Sequence, residues 1–531
     1  MNQVEVNRRE KCTVDARTAA HLCFFQLITV EQDALEVLDL VRSLRDTFAP
    51  IHRIPPEVLS LIPDYYDSDE GDSDQYSVTL THVCRSWRDV FISRSSLWTR
   101  LNFFDVDKTR TYIQRSQTFP LDMRLKEGKE GIGHLIDAFS LAIPHIRRAK
   151  FLAIDAEAFS ESNILRHFRC NMPLLERLDI ENADAEAFID TTVFSGDLSS
   201  LRELRLYCVA TCLPPKNLTN LRDVSLMYCR PGFDVTQLLD FFESAPLLRA
   251  VKLRGLAQGP SGAPPDRTVS LPHLNTLDID VNMQHTILLN HLCIPAGTSL
   301  TLILFFRFGN GAFLLLDCLP ERSSNLRNLT HITTINLLFE SAQKFVRLSG
   351  PSGSLYILAR RTDRRSFSNA RQILSSLNPL TLSTIRRLSV SKYDHRGPAG
   401  VETCPVFQTL SSTNRLQTLV LIDCDILPFI FALDPGEHPS NLVLCPNMEN
   451  LILYIVSPDE FHVKQLIGIA EHRASRGVGL RSITIVGLDE FVPEMEVLKL
   501  REYVTHVDCR VNDAEPAWDD VGGVDSESEW V

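Results

Sequence analysis

A pattern of apolar and polar positions recurs along the chain beyond residue 140. Each copy has the form apolar-x-x-apolar-x-apolar, and neighbouring copies mostly begin about 20 to 33 residues apart. The alternation that ends each copy predicts a short, half-buried strand. Helical periodicity precedes several copies, for example over residues 235–242 and 461–469. The copies are Ile146/Ala149/Phe151, Leu175/Leu178/Ile180, Leu201/Leu204/Leu206, Leu221/Val224/Leu226, Leu248/Val251/Leu253, Leu274/Leu277/Ile279, a weaker one at 299–304, Ile332/Ile335/Leu337, Ile385/Leu388/Val390, Leu416/Leu419/Leu421, Met448/Leu451/Leu453 and Leu480/Ile483/Ile485.

One short strand and one helix per unit at this period predict an irregular leucine-rich-repeat-like solenoid over residues 105–510. Cys229 and Cys424 each follow one copy of the pattern, at the position where such a repeat carries Asn or Cys. Their side chains are expected to hydrogen-bond to the buried backbone of the turn. The gap between Ile332 and Ile385 has room for one degenerate unit around residues 355–357. Because one unit cannot bury its apolar face alone, we expect stacking to hold the array together.

Residues 51–104 follow a different, helical pattern. Pro55 and Pro56 suit the first turn of a helix, and Glu57 there complements the positive end of the helix dipole. A second helix is predicted over residues 80–91, and a third element begins at Ser95. About fifty residues bury too little surface for a self-sufficient core, so such a cluster needs a partner surface. Its apolar face comprises Val58, Leu59, Ile62, Leu80, Val83, Trp87, Val90 and Phe91.

This segment resembles an F-box, the motif that docks on the Skp-family adaptor of cullin-RING ubiquitin ligases. The resemblance rests on three ordered blocks: Ile54-Pro55-x-Glu57-Val58-Leu59-x-x-Ile62, Val83-Cys84-Arg85-x-Trp87-Arg88 and Leu97-Trp98. The flanking segments Ala49-Pro50-Ile51-x-Arg53 and Arg115-Ser116-x-x-x-Pro120-Leu121 are similar to those of F-box proteins from mushroom-forming fungi. The predicted fold class is therefore α/β, with a small all-α F-box cluster followed by the solenoid.

The resemblance implies which residues bind the adaptor. Trp87 and Trp98 are expected to pack inside the cluster and to position the contact residues. In an adaptor-binding protein we expect exposed Val58, Leu59 and Ile62 side chains, whereas a cluster that only caps the solenoid would bury them. The expected apolar contacts, or their immediate support, are Ile54, Pro55, Val58, Leu59, Ile62, Val83, Cys84 and Leu97.

Residues 1–50 are predicted to form a polar, loose tail up to residue 18 and then an amphipathic helix that Pro50 ends. Its apolar residues alternate at spacings of three and four, as in a heptad seam. Leu35 and Leu38 widen this stripe, which favours a helix packed on its own domain over self-association through residues 27–48. The seam comprises Leu27, Val30, Ala34, Val37, Val41, Leu44 and Phe48.

The negative charge of the chain is concentrated in two segments. The chain has 531 residues and a formal net charge of −13. Residues 64–74 contribute six carboxylates and residues 513–529 contribute seven; these thirteen leave the remainder formally neutral. A broad nucleic-acid-binding surface needs a basic domain, so we expect no nucleic-acid partner. The acidic insertion 64–77 and the acidic tail 511–531 are predicted to be disordered.

No constellation of catalytic or metal-ligating residues is recognisable in the sequence. It lacks a phosphate-binding loop, a nucleophile elbow, a zinc-binding His-Glu-x-x-His helix and a dinucleotide fingerprint. We therefore expect no enzymatic activity, no cofactor and no metal site. The densest basic cluster is either a solvated loop edge or a contact for an acidic or phosphorylated partner. It comprises Arg360, Arg361, Arg364 and Arg365.

The cysteine pattern and the hydropathy bear on the compartment. Thirteen cysteines without a paired framework favour the reducing cytoplasm or nucleus. No run approaches the roughly 20 apolar residues of a membrane-spanning helix, so no membrane association is expected.

Two functional hypotheses follow from these patterns. In the first, the F-box-like segment binds a Skp-family adaptor and the solenoid binds a target protein, whose identity the sequence does not specify. In the second, the chain is a scaffold unconnected with ubiquitin, and its helical cluster caps the end of the repeat core. Pro63 and the wide gap over residues 64–77 depart from the F-box pattern and favour this scaffold. An enzyme with an unrecognised site is a third, weaker alternative.

Overall fold

The computed structural model of the chain has two compact units, Met1–Asp122 and Met123–Val531. Together they form a mixed α/β protein with a large, mostly parallel sheet and several helices. The structure describes residues 3–48, 54–62, 73–126, 132–155, 167–181, 198–209, 218–229, 233–256, 266–281, 283–306, 325–329, 331–339, 343–351, 353–361, 384–392, 405–434, 443–455, 460–487 and 494–511.

The first unit is mainly helical. Its elements are α1 (Gln3–Phe48), α2 (Pro56–Leu61), α3 (Ser73–His82), α4 (Arg85–Ser93), a 3₁₀ turn (Ser95–Trp98), strand β1 (Arg100–Leu101) and α5 (Val106–Ser116). α2 begins as predicted, with Pro56 in its first turn and Glu57 beside it. α1 ends two residues before Pro50, which cannot continue a helix.

Two predictions about the first unit are wrong. α1 begins at Gln3 rather than after a loose tail, because residues 3–18 contain no Gly or Pro and carry Glu, Arg and Lys, which lose little rotamer freedom in a helix. The helix predicted over 80–91 is two helices, α3 and α4, separated at Val83 and Cys84. Cys84 has extended backbone (φ −160°), and its carbonyl accepts the first hydrogen bond of α4, from Arg88 N at 3.0 Å.

The acidic insertion predicted to be disordered is partly helical. Its last residues belong to α3, which begins at Ser73. Residues 63–72, with Pro63 and most of the acidic side chains, lie outside the described residues, as does the acidic tail beyond Val511.

The strands of the large sheet mostly follow the sequence pattern. They are β2 (Leu121–Leu125), β3 (Ala149–Asp155), β4 (Arg177–Glu181), β5 (Glu203–Tyr207), β6 (Asp223–Met227), β7 (Ala250–Arg254), β9 (Thr276–Val281), β11 (Ser299–Phe306), β12 (Thr334–Phe339), β13 (Gln343–Ser349), β14 (Ser354–Arg361), β15 (Arg387–Ser391), β16 (Thr418–Ile422), β17 (Asn450–Ile455), β18 (Ser482–Gly487) and β19 (His506–Val511). β8 (Val269–Ser270) and β10 (Leu292–Cys293) form a separate parallel pair.

Helices lie between many of these strands. They are α6 (Ile132–Ala142), α7 (Val235–Ser244), α8 (Met283–Asn290), α9 (Pro405–Ser411), α10 (Leu427–Leu433), α11 (Glu460–Ser475) and α12 (Glu494–Tyr503). α7 and α11 confirm the helical periodicity at 235–242 and 461–469. α7 starts in a capping box, in which Gln237 N donates to Asp234 Oδ1 at 2.7 Å and Asp234 N donates to Gln237 Oε1 at 3.0 Å.

The strands stack in register, with equivalent positions of the repeated pattern paired. β3 to β7, β9 and β11 are parallel neighbours in chain order, and so are β15 to β19. Apolar residues at one position of the pattern therefore form a continuous buried row, and this row holds the strands together. In β4 to β9 it comprises Leu178, Leu204, Val224, Val251 and Leu277.

The first copy of the pattern has a different register from the one predicted. Leu152 and Ile154 are buried and pair with Leu178 and Ile180, whereas Phe151 is only half-buried. The copy therefore begins at Ala149, and Phe151 lies on the polar face of β3 in contact with the guanidinium of Arg177, 4.9 Å from its ring centroid.

The parallel array is interrupted between β11 and β15. β14 is parallel to β11, β13 is antiparallel to both β14 and β12, and β12 is parallel to β15. The predicted degenerate unit at 355–357 thus lies in β14, in a three-strand meander instead of a simple repeat. β13 had no counterpart in the apolar pattern, and the meander places β14 before β12 across the sheet.

The same turn follows several strands. The residue after β5, β6, β7, β15 and β16 is in the left-handed region, with φ between 47° and 58°. At Cys208, Tyr228, Lys392 and Asp423 the amide then donates to a carbonyl at the end of the next strand, at 2.7 to 3.0 Å. At Gly255 the acceptor is instead the carboxylate of Asp280, at 2.7 Å.

Cys229 and Cys424 serve turn backbone as the sequence predicted. The thiol of Cys229 donates towards the carbonyls of Leu206 and Met227, with sulfur to oxygen distances of 3.7 Å. The thiol of Cys424 lies 3.2 Å from the carbonyl oxygens of Val390 and Ile422. Each thiol therefore connects the end of its own strand with the preceding one.

Candidate functional site

The helices of the first unit form a small core of their own. Leu59 of α2, Leu80 of α3, and Trp87 and Phe91 of α4 are buried together. The rings of Trp87 and Phe91 meet edge to face, 5.4 Å apart. The Arg88 guanidinium donates from Nε to the Thr81 carbonyl at 2.9 Å, so it ties α4 to α3.

α2 presents two different faces. Leu59 is 2% exposed, and Ile62, three residues later on the same face, packs against the core. Val58 and Leu61, also three residues apart, are 50% and 48% exposed. The structure thus separates the three residues predicted to behave alike, because Val58 is exposed whereas Leu59 is buried and Ile62 is half-buried. Leu61 was not among the predicted contact residues, although its spacing from Val58 was the available signal.

The other predicted adaptor contacts lie around this core. Val83, between α3 and α4, is 51% exposed, and Pro55 is exposed before α2. Ile54, Cys84 and Leu97 are partly buried against the core. Val58, Leu61 and Val83 are therefore apolar side chains available for a partner, and the more buried residues support them.

Trp98 is almost completely buried and connects α4 with α5. Its ring meets Tyr112 edge to face at 5.1 Å between centroids, and the Arg115 guanidinium lies 4.4 Å from its centroid. The hydroxyls of Tyr112 and Ser77 are hydrogen-bonded at 2.6 Å, which adds α3 to the assembly. Through these contacts α5 packs in the first unit, which ends at Asp122.

A second candidate surface is the polar face of the parallel strands in the second unit. Residues that alternate with the buried rows lie on this face, around a groove of about 930 Å³ across β4 to β11. Arg177 Nε lies 3.4 Å from one oxygen of Glu203, and Arg205 Nε lies 2.6 Å from the other. Arg254 forms a two-contact ion pair with Asp278 further along the sheet. Charged side chains thus cross-link neighbouring strands; Arg177 and Arg205 remain accessible on this face, whereas Arg254 is buried.

Asp223 lines the groove between charges of both signs. The pKa of its carboxyl is raised, chiefly by burial and secondly by the charge of Glu203, with nearby arginines acting in the opposite direction. Tyr207 and Tyr228 form an exposed aromatic pair beside it, with ring centroids 5.7 Å apart. Tyr207 lines the groove. An exposed aromatic pair next to charged residues is suited to contact another protein. This pair was not among the predicted site residues.

The side chains of the predicted basic cluster lie outside the described residues. Arg360 and Arg361 end β14, whose backbone pairs with β11, and their side chains lie outside the described residues. Arg364 and Arg365 lie outside them entirely.

Among the side chains that the structure describes, no three His, Cys, Asp or Glu residues are grouped as metal ligands would be. Across the same part of the chain, none of the helices has the length and apolarity required to cross a lipid bilayer.

Comparison of the chain with protein-family models and with curated proteins found no match.

Proposed function

We propose that this protein is the substrate-receptor subunit of a cullin-RING ubiquitin ligase. Residues 51–104 would act as an F-box that binds a Skp-family adaptor, and residues 105–510 would form a leucine-rich-repeat-like array that binds a target protein. Such a receptor performs no bond chemistry itself. It holds the target near a ubiquitin-charged enzyme supplied by other subunits, in the cytoplasm or nucleus, and raises the effective concentration of the reacting groups.

The exposed apolar face of α2 carries this proposal. Val58 and Leu61 project from a cluster that already has its own core, so burying them requires another surface. Apolar residues on a short helix are suited to insertion into a groove of a partner. Val83 adds a third exposed apolar side chain in the same motif.

The array offers a separate surface for the target. Its in-register strands present a row of polar and aromatic side chains next to the groove that Tyr207 and Asp223 line. Extended faces of this kind bind other proteins in repeat architectures. The bound target would therefore not compete with the adaptor for the same residues.

One observation favours the alternative of a non-ubiquitin scaffold. Leu59 is buried and Ile62 is half-buried in the chain itself, which is what a structural cap requires. The exposure of Val58 and Leu61 favours the receptor, and the test below separates the two functions.

Titration calorimetry with the full chain and a purified Skp-family adaptor tests the proposal. We expect sub-micromolar binding by the wild type and none by the double variant Val58→Asp, Leu61→Asp. The matched control is Met495→Asp, Leu498→Asp, which places the same charges three residues apart on the exposed face of α12. The control should bind like the wild type.

Circular dichroism must show that all three proteins are folded. No binding by the folded wild type would reject the receptor function and leave the scaffold. Equal binding by the double variant and the wild type would reject the assigned surface.

A further inference from the structure

Helix α1 carries apolar side chains that the other described residues leave exposed. α1 spans 46 residues, and every one of its described side chains is exposed. Its large apolar side chains between Leu22 and Leu44 are 42% to 67% exposed. An exposed ion pair at 4.0 Å, between Asp39 and Arg85, links α1 to α4. The favoured prediction that this helix packs on its own domain is therefore wrong for the described side chains.

Some of these exposed apolar residues lie on a coiled-coil seam, whereas others, such as Phe25 and Ile28, lie outside it. Positions a and d of a heptad are occupied by Leu27, Val30, Ala34, Val37 and Val41. The same heptad register continues towards the N-terminus, where smaller residues occupy positions a and d. These are Thr13, Ala16, Ala20 and Cys23. The side chains on the seam are thus large in its C-terminal half and small in its N-terminal half.

The charge of the helix is divided in the same way. Residues 8–17 hold four basic residues and two acidic ones, a net charge of +2, whereas residues 31–39 hold four acidic residues and no basic one. Two parallel copies of α1 would place the two basic segments next to each other and the two acidic segments next to each other. An antiparallel pair would place the small, basic half of one copy against the large, acidic half of the other.

We propose that α1 forms an antiparallel coiled coil with α1 of a second copy of this chain. With the two-fold axis beside residue 25, every a position meets a d position of the second copy. Leu27 then faces Cys23, Val30 faces Ala20, and Ala34 faces Ala16. The overlapping seam from residue 13 to residue 37 is about 37 Å long at 1.5 Å per residue.

The pairing also places opposite charges at the edge of the seam. Arg17 and Glu31 both occupy e positions, and in an antiparallel pair e positions face each other. Arg17 of each copy therefore lies next to Glu31 of the other copy, so the dimer contains two such pairs. A parallel pair offers no such contact, because its g positions Gln26, Asp33 and Leu40 face Glu31, Leu38 and Arg45.

Sedimentation analysis of the full chain tests the dimer. We expect the wild type to be a dimer and the variant Leu27→Asp, Val37→Asp to be a monomer. The matched control is Thr29→Asp, Gln32→Asp, at the outward c and f positions of the same helix, and it should remain a dimer. A monomeric wild type at micromolar concentration, or a dimer that the seam variant leaves intact, would overturn the proposal.

A charge exchange tests the antiparallel arrangement. Arg17→Glu and Glu31→Arg alone should each raise the dissociation constant about tenfold, since each creates two like-charge contacts. The two changes combined should restore the wild-type constant. A combined variant as weak as the single variants would reject this register.

Oxidation of Cys23 gives an independent result. A parallel pair places the two Cys23 thiols side by side at a d position, whereas the antiparallel pair separates them along the axis. We expect mass spectrometry of the mildly oxidised dimer to find no Cys23–Cys23 disulfide, and its appearance would overturn the antiparallel arrangement. Because no experiment here uses the adaptor, failure of this proposal is distinguishable from failure of the receptor function.

Discussion

The indole Nε1 of Trp98 donates a hydrogen bond to the backbone carbonyl of Phe91 at 3.0 Å. Phe91 belongs to the small core of the first unit, and Trp98 contacts α5 through Tyr112. One side chain therefore fixes the position of α4 against α5.

Replacement of Trp98 by Phe tests this connection. The variant keeps an aromatic ring but removes the indole donor to the Phe91 carbonyl, which keeps the Arg94 amide at 3.3 Å as a donor. The loss of this hydrogen bond should cost about 0.5–1.5 kcal/mol of the first unit's stability. Hydrogen exchange should show faster exchange of the α4 amides. The control Phe104→Leu changes an exposed aromatic residue nearby and should leave the α4 rates unchanged. Equal protection in Trp98→Phe and the wild type would contradict the role of this hydrogen bond.

The two faces of α2 should differ in stability as well as in binding. Leu59→Ala removes a buried side chain and should destabilise the first unit by about 2–5 kcal/mol. Val58→Ala changes a half-exposed side chain and should alter stability by no more than about 0.5 kcal/mol. Hydrogen exchange in α3 and α4 would measure both effects. Similar losses in the two variants would show that α2 is oriented differently.

Sequence spacing predicted most of the sheet because burial repeats from strand to strand. Leu204, Val224 and Val251 recur in the pattern since each packs in one row with its neighbours. The meander of β12 to β14 was not predictable, because the antiparallel direction of β13 depends on pairing with strands distant in sequence. The register of β3 was misassigned because Phe151 is apolar but lies on the polar face.

The candidate adaptor surface was only partly predictable for a similar reason. α2 has six residues, and the apolar side chains at Val58, Leu59 and Leu61, followed by Ile62, form one continuous arc of about 160° around its axis. Spacing alone cannot then identify the inward face, which the packing of Leu80 and Trp87 decides. The aromatic pair was missed because Tyr207 ends β5 and Tyr228 lies in the turn after β6, 21 residues later in the sequence.

Two glycine substitutions should have opposite effects on the second unit. Gly255 has φ +58°, and a Cβ there would lie 2.2 Å from Cδ1 of the Tyr228 ring. Gly255→Ala should therefore destabilise the unit by about 1–3 kcal/mol through strain and displacement of Tyr228. Gly468 lies inside α11 with open space around its Cα, so Gly468→Ala should stabilise by about 0.5–1 kcal/mol. Urea denaturation compares them, and a neutral Gly255→Ala would contradict the left-handed turn.

The buried thiol of Cys229 should make stability fall at alkaline pH. Burial raises its pKa from 9.0 to about 12. Below pH 9 the thiol is protonated in both the folded and unfolded chains, so its contribution is fully present. Above pH 9 the unfolded chain loses the proton first, and the contribution is progressively lost as pH rises towards 12. Between pH 8 and pH 10 this loss amounts to about 1.4 kcal/mol.

Cys229→Ala removes the titrating thiol. Between pH 8 and pH 10 the free energy of unfolding should therefore fall less in the variant than in the wild type, by about 1.4 kcal/mol. Urea denaturation at both pH values, followed by circular dichroism, gives the difference. The matched control is Val209→Ala, because Val209 is buried at the same position of the preceding turn but carries no thiol. The control should be less stable than the wild type at both pH values. Its free energy of unfolding should nevertheless fall between pH 8 and pH 10 by as much as that of the wild type. If Cys229→Ala kept that decrease as well, the Cys229 thiol would titrate alike in the folded and unfolded chains, and its place in a closed turn would be wrong.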